Sequence, residues 1–287
     1  MIDLKKIRNE INEIIRLKQE ELFLIFIEET HTYFMKDTNG AIRNDFPSVS
    51  KVHEEFYLPF DEKAKALDKC RGDVDAQQIL LAEWKALGDY TNNKGSRVHY
   101  ELEKEEIKQY GNYKEVRKPI FECNEQQIID GDNMILAGKK YLDLLHERGA
   151  ILLDSETLLG SNILRYVGTP DKIWLILNKQ KTQASLFLTD WKTNAPKNFI
   201  PQWYHGKLYP PYEEFDATTL GHYYVQLPLY ARILIDMLKG SKYEDIKILG
   251  CIVVLLKDDA TFEEFRVPQK ILNGILTADI SNYINNI

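Results

Sequence analysis

The sequence is poor in several features that would settle its class at once. No apolar run approaches the roughly 20 residues that a membrane-spanning helix needs. The opening stretch, MIDLKKIRNEINEIIRLKQEELFLIFIEET, is charged and lacks the apolar core and small-residue cleavage site of a secretory leader, so a cytoplasmic protein is expected. Three cysteines, Cys70, Cys123 and Cys251, are too few and too scattered for a disulfide framework or a cysteine metal cage, and are expected as reduced thiols. There is no P-loop signature, no internal repeat and no low-complexity segment. Positive charge is also short: 37 Lys and Arg stand against 44 Asp and Glu, a net charge of −7. No global positive field would therefore draw in nucleic acid, and such a partner would require a local basic cleft or metal ions that offset the carboxylates.

What remains is an ordinary globular composition, 44% hydrophobic and 28% charged over 287 residues. That length suits one large domain, or a domain with an appendage. Residues 1–21 place Leu4, Ile7, Ile11, Ile14, Ile15 and Leu17 at helical spacing among charges, which predicts an amphipathic helix. Packing on the core is its expected use, with oligomerisation or a partner protein as the alternative. A hairpin should follow, turning at Asn39-Gly40. Residues 61–107 read as helical, with a helix starting near Ser96, and another helix should end at Gly149. The pattern then switches to three strands, AILLDSETLLG, ILRYVGTPDKIWLIL and SLFLTDWKT. A Pro- and aromatic-rich loop over about 195–215, a long helix, two more strands and a final helix complete the chain. This order predicts an α/β core with a mixed sheet.

The chemistry concentrates in the strands. Side chains two apart in a strand share a face, so Asp190 and Lys192 should project together, with Trp191 on the other side. Charges in so apolar a strand are costly unless paired or bound to an ion. Asp171, after the Gly168-Thr169-Pro170 turn, could join Asp190 around a hard divalent cation such as Mg²⁺ or Mn²⁺. A lone Asp-x-Lys is equally a plain ion pair at the end of an edge strand. Companions change that balance: Glu156 upstream, His99 in GSRVHYELE, and Gln226 and Tyr230 one helical turn apart. Gly168 is expected to permit the close turn before Asp171.

Together these motifs resemble the PD-(D/E)XK nuclease superfamily, in particular its RecB-like, phage-type exonuclease branch. Its Gly-x-x-x-His motif matches Gly95 and His99, with Glu103 a turn later, and its Gly-x-x-Asp motif matches Gly168 and Asp171. Its acidic-x-Lys motif matches Asp190, Trp191 and Lys192, and its Gln-x-x-x-Tyr motif matches Gln226 and Tyr230. Glu156 matches an upstream glutamate of some members. The resemblance extends less specifically into FPSVSKVHEEFY and EWKALGDYTNNKG, and touches most of residues 30–240. It implies a restriction-endonuclease-like core over residues 95–287, with residues 1–94 as an N-terminal helix, hairpin and helical region packed on it, the whole forming one continuous domain.

The implied function is metal-dependent hydrolysis of DNA phosphodiesters, foremost by an exonuclease acting on DNA ends in recombination, repair or phage DNA metabolism. A structure-selective or single-strand endonuclease on the same scaffold and a non-catalytic DNA-binding or assembly protein are the alternatives. The resemblance implies one or two Mg²⁺ or Mn²⁺ ions held by His99, Asp171, Asp190, the Trp191 backbone carbonyl and Glu156, with Lys192 positioning the attacking water or stabilising the developing anion. Three dispersed cysteines exclude the iron–sulfur cluster of other branches. Gln226 and Tyr230 would contact DNA or brace Lys192, and Thr193 is a candidate phosphate donor or a simple strand-end cap. Lys94, Arg97, Lys172, Lys197 and Arg232 could form a basic rim giving affinity without sequence readout. Phe199, Trp203, Tyr204, Tyr209, Tyr212 and Phe215 are either a stacking platform for single-strand bases or a loop closing over the core. A recombination or replication protein is a candidate partner, a membrane is not, and the oligomeric state stays open.

Overall fold

Alternation between two apolar faces shapes the centre of this protein. In a computed structural model, residues 2–27, 29–110, 123–200, 206–279 and 281–284 are described, and for 107–110, 281 and 282 the backbone alone. The elements in order are α1 (Leu4–Glu21), β1 (Ile25–Ile27), β2 (Thr32–Lys36), β3 (Ile42–Arg43), α2 (Val49–Val52), α3 (Glu62–Lys69), α4 (Val74–Tyr110) and α5 (Glu125–Glu147). Then come β4 (Ile151–Ser155), β5 (Leu159–Ser161), β6 (Tyr166–Gly168), β7 (Lys172–Leu177), β8 (Ala184–Lys192) and α6 (Pro196–Phe199). The chain closes with α7 (Thr219–Leu238), β9 (Lys247–Leu256), β10 (Phe262–Arg266), α8 (Gln269–Thr277) and α9 (Ser281–Ile284).

Five strands form the main sheet in the order β10-β9-β8-β7-β4. Strands β8 and β9 run parallel and the other neighbours antiparallel, so the sheet is mixed as expected. The long connection that a parallel pair requires is supplied by α7. Both sheet faces are covered, which explains why β7, β8 and β9 are apolar on both sides. Ile173, Leu175, Leu186, Leu188, Val253 and Leu255 pack into one core with α1, α7 and α8. Their alternates Trp174, Phe187, Trp191, Ile252, Val254 and Leu256 pack into a second core with α4 and α5. Trp174 and Trp191 are fully buried, so truncating either to Ala would cost about 3–5 kcal/mol.

Helix α1 starts at Asp3, whose carboxylate accepts from the Lys5 and Lys6 amides. Its Ile11 and Ile15, one turn apart, are buried against the sheet core. Asn12 and Gln19 donate to the Leu153 and Leu158 carbonyls at 2.9 and 2.7 Å. Packing on the core is thus the observed use of this helix. Helix α5 opens on a capping box in which the Asn124 and Gln127 side chains and amides reciprocate at 2.9 and 2.8 Å. It ends just before Gly149, at φ 79°.

Three expectations are corrected. The predicted hairpin is a three-stranded antiparallel sheet, because a second turn with His31 at φ 49° separates β1 from β2. The stretches AILLDSETLLG and ILRYVGTPDKIWLIL are each broken, into β4 and β5 and into β6 and β7, with β5 and β6 pairing outside the main sheet. No helix starts near Ser96: α4 runs unbroken from Val74 to Tyr110, so a division at residues 94–95 falls inside a helix. Among the described residues, no helix is long and apolar enough to cross a membrane.

Candidate metal centre

The candidate site lies at the sheet end where β8 finishes, β7 begins and β4 leaves the sheet. In β8, Asp190 and Lys192 do share a face, and Lys192 Nζ lies 2.6 Å from Asp190 Oδ2. Trp191 points the opposite way into the α4–α5 core. Its backbone N–H donates to Asp171 Oδ2 at 2.7 Å, which fixes that carboxylate just ahead of β7. Strand β4 carries a register shift between Leu152 and Asp154, bringing Ser155 opposite Lys172. Glu156 follows, held by its N–H on the Asp171 carbonyl at 3.0 Å. Its backbone is left-handed, φ 47°, a conformation that costs a residue bearing a Cβ about 1–2 kcal/mol. Glu156 therefore sits one residue beyond the strand on which it was expected, aimed by a strained turn.

His99 comes from α4, on the other side of the sheet end. Its Nδ1 is 3.5 Å from Asp171 Oδ2 and 3.9 Å from Glu156 Oε1. Donor atoms of His99, Glu156 and Asp171 all lie within 4.8 Å of one another. Donors about 2.1 Å from one hard cation stand about 3–4.2 Å apart, a range that holds both His99 separations, 3.5 and 3.9 Å. Burial opposes the His99 imidazolium, but Asp171 and Glu156 outweigh it and hold its pKa above the usual value. A metal there would compete with that proton.

Burial, and then the neighbouring Asp171, push the Asp190 carboxyl above its usual range against the pull of Lys192. Burial disfavours the Lys192 ammonium, yet Asp190, Tyr223 and Asp171 together outweigh it, so its pKa is raised. The ammonium also lies 4.1 Å from the centroid of the Tyr223 ring, a contact the sequence reading missed. Tyr223 lies three residues before Gln226 on α7, and helical spacing alone could have flagged it. Gln226 Nε2 donates to Tyr230 Oη at 3.1 Å, so these two do share a helix face.

Several expected roles do not match the placement. Asp190 pairs with Lys192 and stands outside the three-residue donor group. Lys172 is no part of a basic rim: it is 1% exposed, and its Nζ meets the buried Glu106 at 2.8 Å. Arg97 is committed to α5 through Asp132 at 2.6 Å and the Ile128 carbonyl at 3.1 Å. Arg232 donates to the Ile275 and Ala278 carbonyls. Thr193 is buried, its Oγ1 3.0 Å from where a Cβ on Gly95 would stand. Lys197 is exposed on α6. Tyr230 is buried beside Gly168. Gly168 does not adopt a glycine-only backbone conformation. Its small size makes room for Tyr230.

Of the aromatic loop, Trp203 and Tyr204 lie outside the described residues, as does His205. Phe199 and Tyr212 are buried, against Phe265 and Phe56 among others, so these two close over the core. Tyr209 alone of the described aromatics there is well exposed. Among known proteins, no family model matches this chain and no curated protein matches it.

Proposed function

We propose that this protein is a metal-dependent deoxyribonuclease with a PD-(D/E)XK core of the RecB-like type, acting foremost as an exonuclease on DNA ends. The observation that carries this reading is convergence. Residues from motifs spread between Gly95 and Tyr230 meet at one end of one mixed sheet, around a His99–Glu156–Asp171 donor set. The setting proposed for it is the cytoplasm of a bacterial or phage-infected cell, in recombination, repair or phage DNA metabolism.

A cation bound by His99, Glu156 and Asp171 would lower the pKa of a water and offset charge on the scissile phosphate. The chain's own groups do the rest. Lys192, its pKa raised, stays an ammonium and donates hydrogen bonds to the attacking water or the developing oxyanion. Asp190 and the Tyr223 ring hold that ammonium in place. The Trp191 N–H fixes the Asp171 rotamer. Mn²⁺ suits a donor set containing an imidazole better than Mg²⁺ does.

The test is digestion of end-labelled linear and closed circular DNA, single- and double-stranded, with Mg²⁺, Mn²⁺ or EDTA, beside Lys192→Ala. Metal-dependent loss of linear DNA with circles spared, and an inactive variant, is the expected result. Cleaved circles would move the reading to an endonuclease. No cleavage under any metal, or equal cleavage by the variant, would overturn it.

A further inference from the structure

A lysine and a glutamate buried together are expensive, and apolar residues of the same volume would stabilise the fold as well or better. Lys172 and Glu106 are nonetheless 1% and 0% exposed at their side chains and 2.8 Å apart. Both Glu106 carboxylate oxygens lack an aligned hydrogen-bond donor, so the contact is a bare ion pair. Where the pair stands suggests its use. Lys172 directly follows Asp171 and lies opposite Ser155 in the β4–β7 register, with Glu156 next along the chain. Ile173 faces the α7 core and Trp174 the α4–α5 core, so Lys172 faces α4. Glu106 meets it there from the helix stripe that carries His99 and Glu103. The charges of Glu106, Glu156 and Asp171 all act on the ammonium.

The acids near the donor cluster are otherwise taken. Asp190 is paired with Lys192 at 2.6 Å, Glu106 with Lys172 at 2.8 Å, and Glu103 is itself engaged. A second divalent ion ligated by Glu106 or Asp190 would have to displace the ammonium of Lys172 or Lys192. We propose that the Lys172 ammonium occupies the place a second divalent cation would take beside Glu106 and Glu156, so that the centre holds one ion per chain. This rests on the metal centre proposed above and specifies its stoichiometry.

The experiment is Mn²⁺ binding to the full chain, read by electron paramagnetic resonance of the free ion, with folding checked by circular dichroism. The wild-type chain is expected to bind one Mn²⁺. Lys172→Met should free Glu106 and raise the count to two, and adding Glu106→Gln should return it to one. Two ions in the wild type, two in the double variant, or one in a folded Lys172→Met would overturn the assignment. Should Lys172→Met fail to fold, Lys172→Gln is counted in its place, and one ion in that folded variant would overturn the assignment. Absence of any bound Mn²⁺ in the wild type would instead overturn the donor cluster itself, and the assignment with it.

Discussion

The ring of Tyr230 fills the space that a side chain at Gly168 would need: a Cβ there would meet Tyr230 Cε1 at 2.5 Å and Val49 Cγ2 at 2.8 Å. A glycine beside one set of candidate site residues and a tyrosine from another are thereby locked in contact across the α7 core. Gly168→Ala should destabilise the protein by about 1–3 kcal/mol through overpacking. Tyr230→Leu removes the clashing ring, so the two substitutions together should cost less than their sum. Urea denaturation of both single variants and the double variant measures this. Strict additivity would show that the ring is not what excludes a Cβ.

Manganese should stabilise the fold through His99, Glu156 and Asp171. Saturation at about a hundred times the dissociation constant adds about 2.7 kcal/mol. Thermal melts with increasing Mn²⁺ should show a rise that EDTA reverses, Mg²⁺ matches only at higher concentration, and Asp171→Asn abolishes.

Tyr223 should matter through its ring and not its hydroxyl, because it is the ring that lies 4.1 Å from the Lys192 ammonium. Tyr223→Phe should leave kcat within about twofold, while Tyr223→Leu should lower it about tenfold with KM little changed, as loss of about 1–1.5 kcal/mol of cation–π energy predicts. Steady-state DNA hydrolysis by the two variants checks this.

Stability should fall in acid partly because of His222. Its ring stacks on Tyr57 at 3.5 Å, its Nε2 is buried without a partner, and burial pushes its pKa down to about 4. Above pH of about 6.5 the ring is neutral whether the chain is folded or unfolded, and this contribution is flat. Between about 6.5 and about 4 the unfolded chain takes up a proton that the folded one refuses, so stability drops as pH drops. The loss is on the order of 3 kcal/mol and levels off below the folded pKa. Denaturation midpoints from pH 7 to 4.5 should fall less steeply in His222→Phe than in the wild type.

The parts of the site that could be read from sequence are those governed by the two-residue period of a strand. Asp190 and Lys192 on one face and Trp191 on the other follow from that period alone, and the structure has them so. Helical spacing likewise placed Gln226 beside Tyr230. Partners from distant elements were not readable. Glu106 sits in the run YELEKEEI, which looks like a solvated face, and only the approach of β7 buries it. Lys172 reads as a rim lysine because it adjoins Asp171 in sequence, and only the β4–β7 register and the approach of α4 bury it. Ser96 before a periodic run reads as a helix start, yet the helix is already continuous there and Gly95 serves close packing against Thr193 within α4. The turn between β1 and β2 carries no Asn-Gly signal and was missed.

The continuity of α4 has a mechanical consequence. Its 37 residues make a rod about 55 Å long at about 1.5 Å per residue. The rod begins beside α3, where Val74, Ile79 and Leu87 are exposed, and farther along it presents His99 to the donor cluster. No break in the helix lies between them, so the exposed apolar end and the imidazole belong to one helical frame.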